Sequence, residues 1–189
     1  MVSISGYVLA GGKSSRFGSN KALALLDGKP MIEYSLDLLR LYSQHIYISG
    51  VKDEYKSLNI SMIEDLVNEK GPIGGIYSCL KNTTTQYNLI LSCDMPFVSK
   101  QMIEYLLART ITNDAIYFTN DKKNIYPFPG VYSKQCLPII EQMLQMNNYR
   151  MKSLLDSVCS KACEIDSIDQ YRLTNINRKE DLNDSLEFI

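Results

Sequence analysis

The stretch LAGGKSSRFGSNK, residues 9–21, sets glycines at 11, 12 and 18 beside two bases, Arg16 and Lys21. Gly11 and Gly12 let the chain turn sharply and bring backbone N–H groups close to an anion. Arg16 offers a planar fork for phosphate oxygens, and Lys21 a mobile point charge. Together they suit a triphosphate. The spacing matches neither of the two commonest phosphate loops. A Walker A loop wants a lysine directly after its last glycine, whereas Lys21 comes three residues after Gly18. The dinucleotide fingerprint G-x-G-x-x-G fails because Gly11 and Gly12 are adjacent. The plain alternative is a flexible turn with two solvated bases.

Carboxylates follow in places that could serve the same chemistry. LILSCDMP puts Asp94 just past a strongly apolar run. Chemistry on a triphosphate needs a hard cation against growing phosphate charge, and Mg²⁺ prefers carboxylate oxygen, so Asp94 is the expected metal ligand. Pro96 stiffens that loop; the competing role of Asp94 is to turn the chain before Pro96. Asp65 closes ISMIED, a position where Asp is also a common turn residue. The run GPIGG, Gly71 to Gly75, can bring its backbone near a base or ribose, and the helix it opens presents free N–H groups. Its plainer role is a tight helix start with Pro72 near the first position. Asn175 and Asn177 flank Ile176 and share a face in extended chain. Asn177 can also cap the last helix, with Glu180 completing a capping-box-like pattern.

The elements that must position these residues alternate. GYVLA, IYIS, ISMI, YNLILS and DAIYFT read as strands; MIEYSLDLLRLY, IGGIYSCLKN and SKQMIEYLLART, the last capped by Ser99, read as helices. This β/α alternation predicts an α/β fold, a mainly parallel sheet with helices on both faces. Ligands in such sheets bind outside the carboxyl ends of the strands, where the loop after the first strand lies. Beyond Asn120 the order loosens. IYPFPGVYS carries two prolines and is expected as an edge strand or bent loop, with aromatics available to a partner surface. CLPIIEQMLQM, YRMKSLLDSV and NINRKEDLNDSLEFI read as helices. No repeat or linker breaks residues 1–189, so a single domain is expected.

Composition narrows the function classes. The net charge of −1 argues against nucleic acid as main partner. No apolar run approaches about 18 residues, so no membrane span is expected, and the start of the chain lacks a signal-peptide pattern. Five scattered cysteines without C-x-x-C fit a reduced, cytoplasmic setting; Cys159 and Cys163 could share a helix face and read as packing residues. The single histidine, His45, rules out a histidine-rich metal site and opposes a Ser-His-Asp triad.

The glycine stretch resembles the signature L-A-[GA]-G-x-S-x-R-x-G-x-x-K of nucleotidyltransferases that activate small molecules with an NTP. Its double glycine is typical of the molybdenum cofactor guanylyltransferase branch. DGKPMIEY, IED at 63–65, GPIGGIYSCL at 71–80, SCDMPFV at 92–98 and NINRKEDL at 175–182 follow in that family's order. The resemblance implies a Rossmann-like three-layer αβα fold. It implies GMP transfer from GTP to molybdopterin-bound molybdenum cofactor with Mg²⁺, releasing pyrophosphate. Carried over by position, Arg16, Lys21 and Asp94 are catalytic. Leu9, Ala10, Gly11, Gly12, Lys21, Asp65, Gly71, Gly75 and Asp94 bind the nucleotide, with Asp65 on guanine, Asp94 on the metal, and Asn175 and Asn177 on the acceptor. A cofactor-supplying protein or a client enzyme's chaperone is the expected transient partner. Ser49 stands where the family often has Asn, and Tyr126-Pro127 where it has His-Pro; Arg150 and Lys152 could meet an anion or form an ordinary exposed face. The competing functions are a CTP-dependent molybdopterin cytidylyltransferase, a sugar-phosphate nucleotidyltransferase, and a non-catalytic nucleotide-binding or delivery protein.

Overall fold

The computed structural model describes residues 3–11, 17, 18, 20–67 and 69–184. Its centre is a seven-stranded sheet. Strand β1 (Ile4–Leu9) leads towards the glycine loop, and the two-residue strands β2 (Leu25–Leu26) and β3 (Lys29–Pro30) form a hairpin. Asp27 and Gly28 turn that hairpin with φ of 50° and 73°, as a two-residue turn matching strand twist requires. Then come α1 (Met31–Tyr42), β4 (His45–Ser49), β5 (Ser61–Ile63), α2 (Gly71–Asn82) and β6 (Tyr87–Ser92). The remainder is α3 (Lys100–Leu107), β7 (Ala115–Thr119), β8 (Ile125–Ser133), α4 (Leu137–Gln145), α5 (Met151–Ser157), β9 (Ser160–Glu164) and α6 (Lys179–Asp184).

The strand order is β5-β4-β1-β6-β8-β7-β9, and every neighbour pair is parallel except the two made by β8. The expected mainly parallel α/β sheet is therefore present. Residues along each central strand alternate between two cores. Val8, Leu89 and Leu91 pack with Ile32, Leu36 and Leu39 of α1 and Ile103 and Leu106 of α3. Tyr7 and Ile90 pack on the other side with Ile73, Ile76 and Leu80 of α2 and Ile140 of α4. Both faces of β1 and β6 are thus covered, which is why the runs YVL and LIL are apolar on both faces, with the polar Ser5 and Asn88 buried and hydrogen-bonded. Ser99 caps α3 as expected, accepting from the Met102 N–H at 3.4 Å.

Two expectations are corrected. The proline-bearing β8 lies inside the sheet, between β6 and β7. It can do so because its pairing with β6 ends at Gly130 and its register with β7 jumps from Gly130 to Tyr126, so Pro127 and Pro129 fall where no ladder N–H is needed. Cys159 and Cys163 share no helix: α5 stops at Ser157, and Cys163 lies in β9, an edge strand with no strong periodic signal.

Chain order moves from β1 outward to β4 and β5, then back across to β6 on the other side. The carboxyl end of β1 is therefore the switch point of the sheet, where a crevice opens between diverging connections.

Candidate active site

At that crevice a cavity of about 700 Å³ is lined by Leu9, Gly11, Lys21, Ser49, Asp65, Gly71, Gly75 and Asp94 among others. The size is that of a small-molecule site. Seven residues expected from sequence to bind nucleotide thus meet in one place. Gly12 and Arg16 lie outside the described residues.

The backbone after β1 is tied on three sides. The Ala10 N–H donates to the Ser49 carbonyl at 3.0 Å, the Tyr55 hydroxyl donates to the Ala10 carbonyl at 3.1 Å, and the Cys93 N–H donates to the Leu9 carbonyl at 3.1 Å. Ala10 itself is buried and is not among the cavity-lining residues, so its part is to hold the loop. Gly11 sits against Asp65: a Cβ built there would lie 2.2 Å from Asp65 Oδ2. The other carboxylate oxygen of Asp65 accepts from the buried Ser49 hydroxyl at 2.7 Å. Gly50, next in chain, has φ of 108° and would bring a Cβ within 3.0 Å of the Gly11 nitrogen. Only glycine gives both that backbone angle and that approach.

Lys21 opens a short 3₁₀ turn, Lys21–Leu23, whose cap is the Asn20 side chain accepting from the Ala22 N–H at 3.2 Å. That turn aims the Lys21 ammonium at Asp94, with Nζ 2.6 Å from Oδ2. Nζ also donates to Asn177 Oδ1 at 3.3 Å. Asp94 is held from behind. Ser92 Oγ donates to Oδ1 at 2.5 Å, Ser35 on α1 donates to the Ser92 carbonyl at 3.0 Å, and the Ile176 N–H donates to the Asp94 carbonyl at 2.8 Å. The pair is only 18 % and 9 % exposed and lines the cavity.

Helix α2 points its first turn at the same cavity. Gly71 takes φ of 59° at its start and Pro72 sits in the first turn, which leaves N–H groups without intrahelical partners. Gly75 packs closely on the strand end: a Cβ there would lie 2.9 Å from Leu9 Cδ1.

The chain near the C-terminus completes the rim. Ile176 is buried with Phe17, Leu26 and Met31, while Asn175 and Asn177 are exposed on either side of it, as the alternation implied. Neither asparagine is among the cavity-lining residues, and Asn177 reaches the site through Lys21. The expected capping box is corrected. α6 starts at Lys179, and it is Asp181, one residue beyond Glu180, whose Oδ2 accepts the N–H groups of Asn177 and Arg178 at 2.7 and 2.8 Å. Those two bonds hold the Asp181 carboxyl below the usual carboxylate range.

Several lining residues carried no sequence signal for this role: Lys70, Ser92, Cys93 and Phe128. Ser92 could have been found as a hydroxyl two residues before a strand-end aspartate. Cys93 is no nucleophile, since burial pushes its thiol up to about 12. The aromatics of β8 form no exposed patch: Tyr132 is fully buried and Phe128 turns to the cavity. Lys152 pairs with Asp156 at 3.1 Å on an exposed helix face, the plainer of its two expected roles.

The family described as "MobA-like NTP transferase domain" matches residues 6–162. A Flavobacterium johnsoniae protein named "Probable molybdenum cofactor guanylyltransferase" is 36% identical over 184 residues, covering 97% of each chain. An Aquifex aeolicus protein of the same name is 33% identical over 177 residues, 93% of this chain and 87% of the relative. Among solved structures, "Molybdopterin-guanine dinucleotide biosynthesis protein A" from Archaeoglobus fulgidus shares the fold, with a TM-score of 0.79 at 21% identity over 97% of each chain.

Proposed function

The chain belongs to the MobA-like NTP transferase family and is a nucleotidyltransferase, and we propose that it transfers GMP from GTP to the terminal phosphate of molybdopterin-bound molybdenum cofactor, residues 1–189 acting as one domain. The observation that carries the reading is one cavity holding Lys21 against Asp94 and, against Gly11, a carboxylate fixed at Asp65. An acceptor phosphate oxygen bonds to the α-phosphorus, the bond from that phosphorus to the β-bridging oxygen breaks, and pyrophosphate leaves. The acceptor is already an anion, so no protein base is required, consistent with His45 lying exposed at the start of β4.

Each residue then has a task. Asp65 accepts from the N1 and N2 edge of guanine, an arrangement adenine and cytosine do not offer. The Gly11 and Gly12 amides cradle phosphate oxygens, and the first turn of α2, with Gly71 and Gly75, closes on the nucleoside. Lys21 with Arg16 neutralises the β- and γ-phosphates, and Leu9 and Ala10 set the strand end that places the loop. Asn175 and Asn177 border the acceptor side, Asn177 by steadying Lys21.

Asp94 would hold Mg²⁺. A single carboxylate suits a cation that keeps several waters and takes its other ligands from substrate phosphates. Among the described residues no group of three His, Cys, Asp or Glu forms an all-protein cage, and the Mg²⁺ reading needs none. When bound, the ion supplies charge stabilisation on the phosphate in transfer. Without nucleotide, Lys21 and Asp94 neutralise each other; a triphosphate draws Lys21 to itself and leaves the carboxylate for the cation. Catalysis comes from holding donor and acceptor in line and offsetting transition-state charge. Five unpaired cysteines, four of them buried, support a cytoplasmic setting.

The test is thermal denaturation with GTP, CTP, ATP and UTP, each with and without Mg²⁺, followed by pyrophosphate release with molybdopterin. The largest shift with GTP and Mg²⁺, and release only when acceptor is present, is expected. A CTP preference transfers the reading to the cytidylyltransferase, and nucleotide binding without pyrophosphate release makes the protein a carrier.

A further inference from the structure

Phe128 is an aromatic side chain lining the cavity, half-buried, and the phosphates have no use for it. Its place in the fold is informative. Asp65 follows β5 and Phe128 belongs to β8, and the order β5-β4-β1-β6-β8 puts four strand spacings between those strands. The Asp65 carboxylate itself reaches back over β4 to Gly11 at the end of β1, which leaves two spacings of about 4.8 Å, roughly 10 Å, to β8. Asp94, at the end of β6, stands between that carboxylate and Phe128. With the base at Asp65 and the phosphates between Gly11 and Asp94, whatever touches Phe128 lies beyond the phosphate being transferred.

The strand is built to present this ring. Residues 127–129 pair with neither neighbour: the ladder to β6 ends at Gly130, and the ladder to β7 resumes at Tyr126. Such a bulge re-aims a side chain. It is pinned at both ends. The Tyr132 hydroxyl donates to the Pro127 carbonyl at 2.7 Å, and a Cβ on Gly130 would lie 2.4 Å from that same oxygen, so only glycine closes the bulge. On the other side the Tyr126 hydroxyl accepts from Gln170 at 2.8 Å and from Asn120 at 3.3 Å. The ring packs against both hydrophobic cores. A fixed aromatic side chain in the same cavity as a charged pair suits a flat ring system attached to a phosphate.

We infer that Phe128 is the platform on which the planar ring system of the acceptor stacks. This rests on the guanylyl-transfer reading. The experiment measures pyrophosphate release against molybdopterin concentration at saturating GTP and Mg²⁺ for the full-length wild type and for F128L, F128M, F128Y and F128W. Leucine and methionine keep the packing volume and lose the flat face. Both should raise the KM for molybdopterin about tenfold, leave the KM for GTP and the GTP thermal shift unchanged, and be rescued by tyrosine or tryptophan. An active wild type with acceptor KM unchanged in F128L and F128M would reduce Phe128 to packing. A rise in the GTP KM instead would place the ring on the nucleotide. A wild type that releases no pyrophosphate from any nucleotide would overturn the guanylyl-transfer reading and this inference with it.

Discussion

Gly11→Ala separates base reading from phosphate binding. Gly11 is not in the left-handed region, so alanine is allowed there on backbone grounds. Its methyl carbon, however, would stand 2.2 Å from Asp65 Oδ2, and ordinary contact begins at 3.4 Å, so the carboxylate must retreat by roughly 1 Å. That movement breaks the 2.7 Å bond from Ser49, because hydrogen bonds weaken beyond about 3.2 Å. It also takes the carboxylate out of reach of the guanine edge. Hydrogen bonds to charged groups contribute about 1.5–3 kcal/mol, which is a tenfold or greater loss in GTP affinity. At a GTP concentration of about 100 Kd the wild type gains about 2.7 kcal/mol of apparent stability, and a tenfold weaker variant gains about 1.4. For a chain of 189 residues the difference lowers the GTP-induced Tm shift by about 3–5 °C. Lys21 and Asp94 are untouched, so the smaller ATP shift should persist and selectivity, not binding as such, should collapse. The assay is the same thermal denaturation, with Ser49→Ala alongside as a milder version that removes the hydroxyl without the clash. A Gly11→Ala protein that keeps its full preference for GTP over ATP would refute the assignment of Asp65 to the base.

The remaining expectations use separate readouts. Lys21→Ala should lower kcat at least about a hundredfold in a protein that still folds, with some loss of ligand-free Tm because Asp94 is left buried without its cation; retained turnover would take Lys21 out of catalysis. Asp94→Asn should abolish the Mg²⁺ dependence of the GTP thermal shift, and an unaltered Mg²⁺ response would move the metal elsewhere. Gly50→Ala should cost about 2 kcal/mol, or about 4–8 °C in Tm, from its φ of 108° and the 3.0 Å approach to Gly11; an unchanged Tm would mean the strand end relaxes freely. Asp181 has its carboxyl depressed by the Asn177 and Arg178 N–H groups, so its contribution is present above the unfolded value of about 3.9 and is lost as pH falls through the lower folded value. Amide exchange at Asn177 and Arg178 should therefore quicken in acid more than base-rate trends require, and Asp181→Asn should show that quickening already at neutral pH.

How much of this could be read from the chain depends on the range of the interactions. The central strands announced themselves because β1 and β6 are buried on both faces, so that each carries an unbroken apolar stretch, YVL and LIL. The glycine loop, Asp65 and Asp94 were found because each follows such a strand. β9 escaped because SKACE is short, mostly exposed and paired on one side only, so little apolar surface marks it. The capping box was misplaced by one residue because Asn177 gives its side-chain oxygen to Lys21, a contact across 156 positions that no local pattern encodes.

The misreading of β8 has the same origin and the largest consequence. Proline in a central strand is normally excluded because the ladder loses a donor. Here neighbours far apart in sequence release residues 127–129 from both ladders at once, so the exclusion never applies. Once released, those residues need not follow the pleat, and Phe128 can face the cavity while Val131 and Tyr132 are buried in opposite cores. The feature that hides the strand from a local reading is therefore the feature that brings an aromatic ring to the site. Gly130, which looks like a strand-weakening residue in isolation, is required because the Pro127 carbonyl occupies the space of its Cβ. A Gly130→Ala substitution should accordingly disturb the acceptor KM as well as stability, whereas an equally destabilising change in the distant α5, such as Leu154→Ala, should lower Tm and leave that KM unaltered. Equal acceptor KM values in the two variants would separate the bulge from the binding of the acceptor.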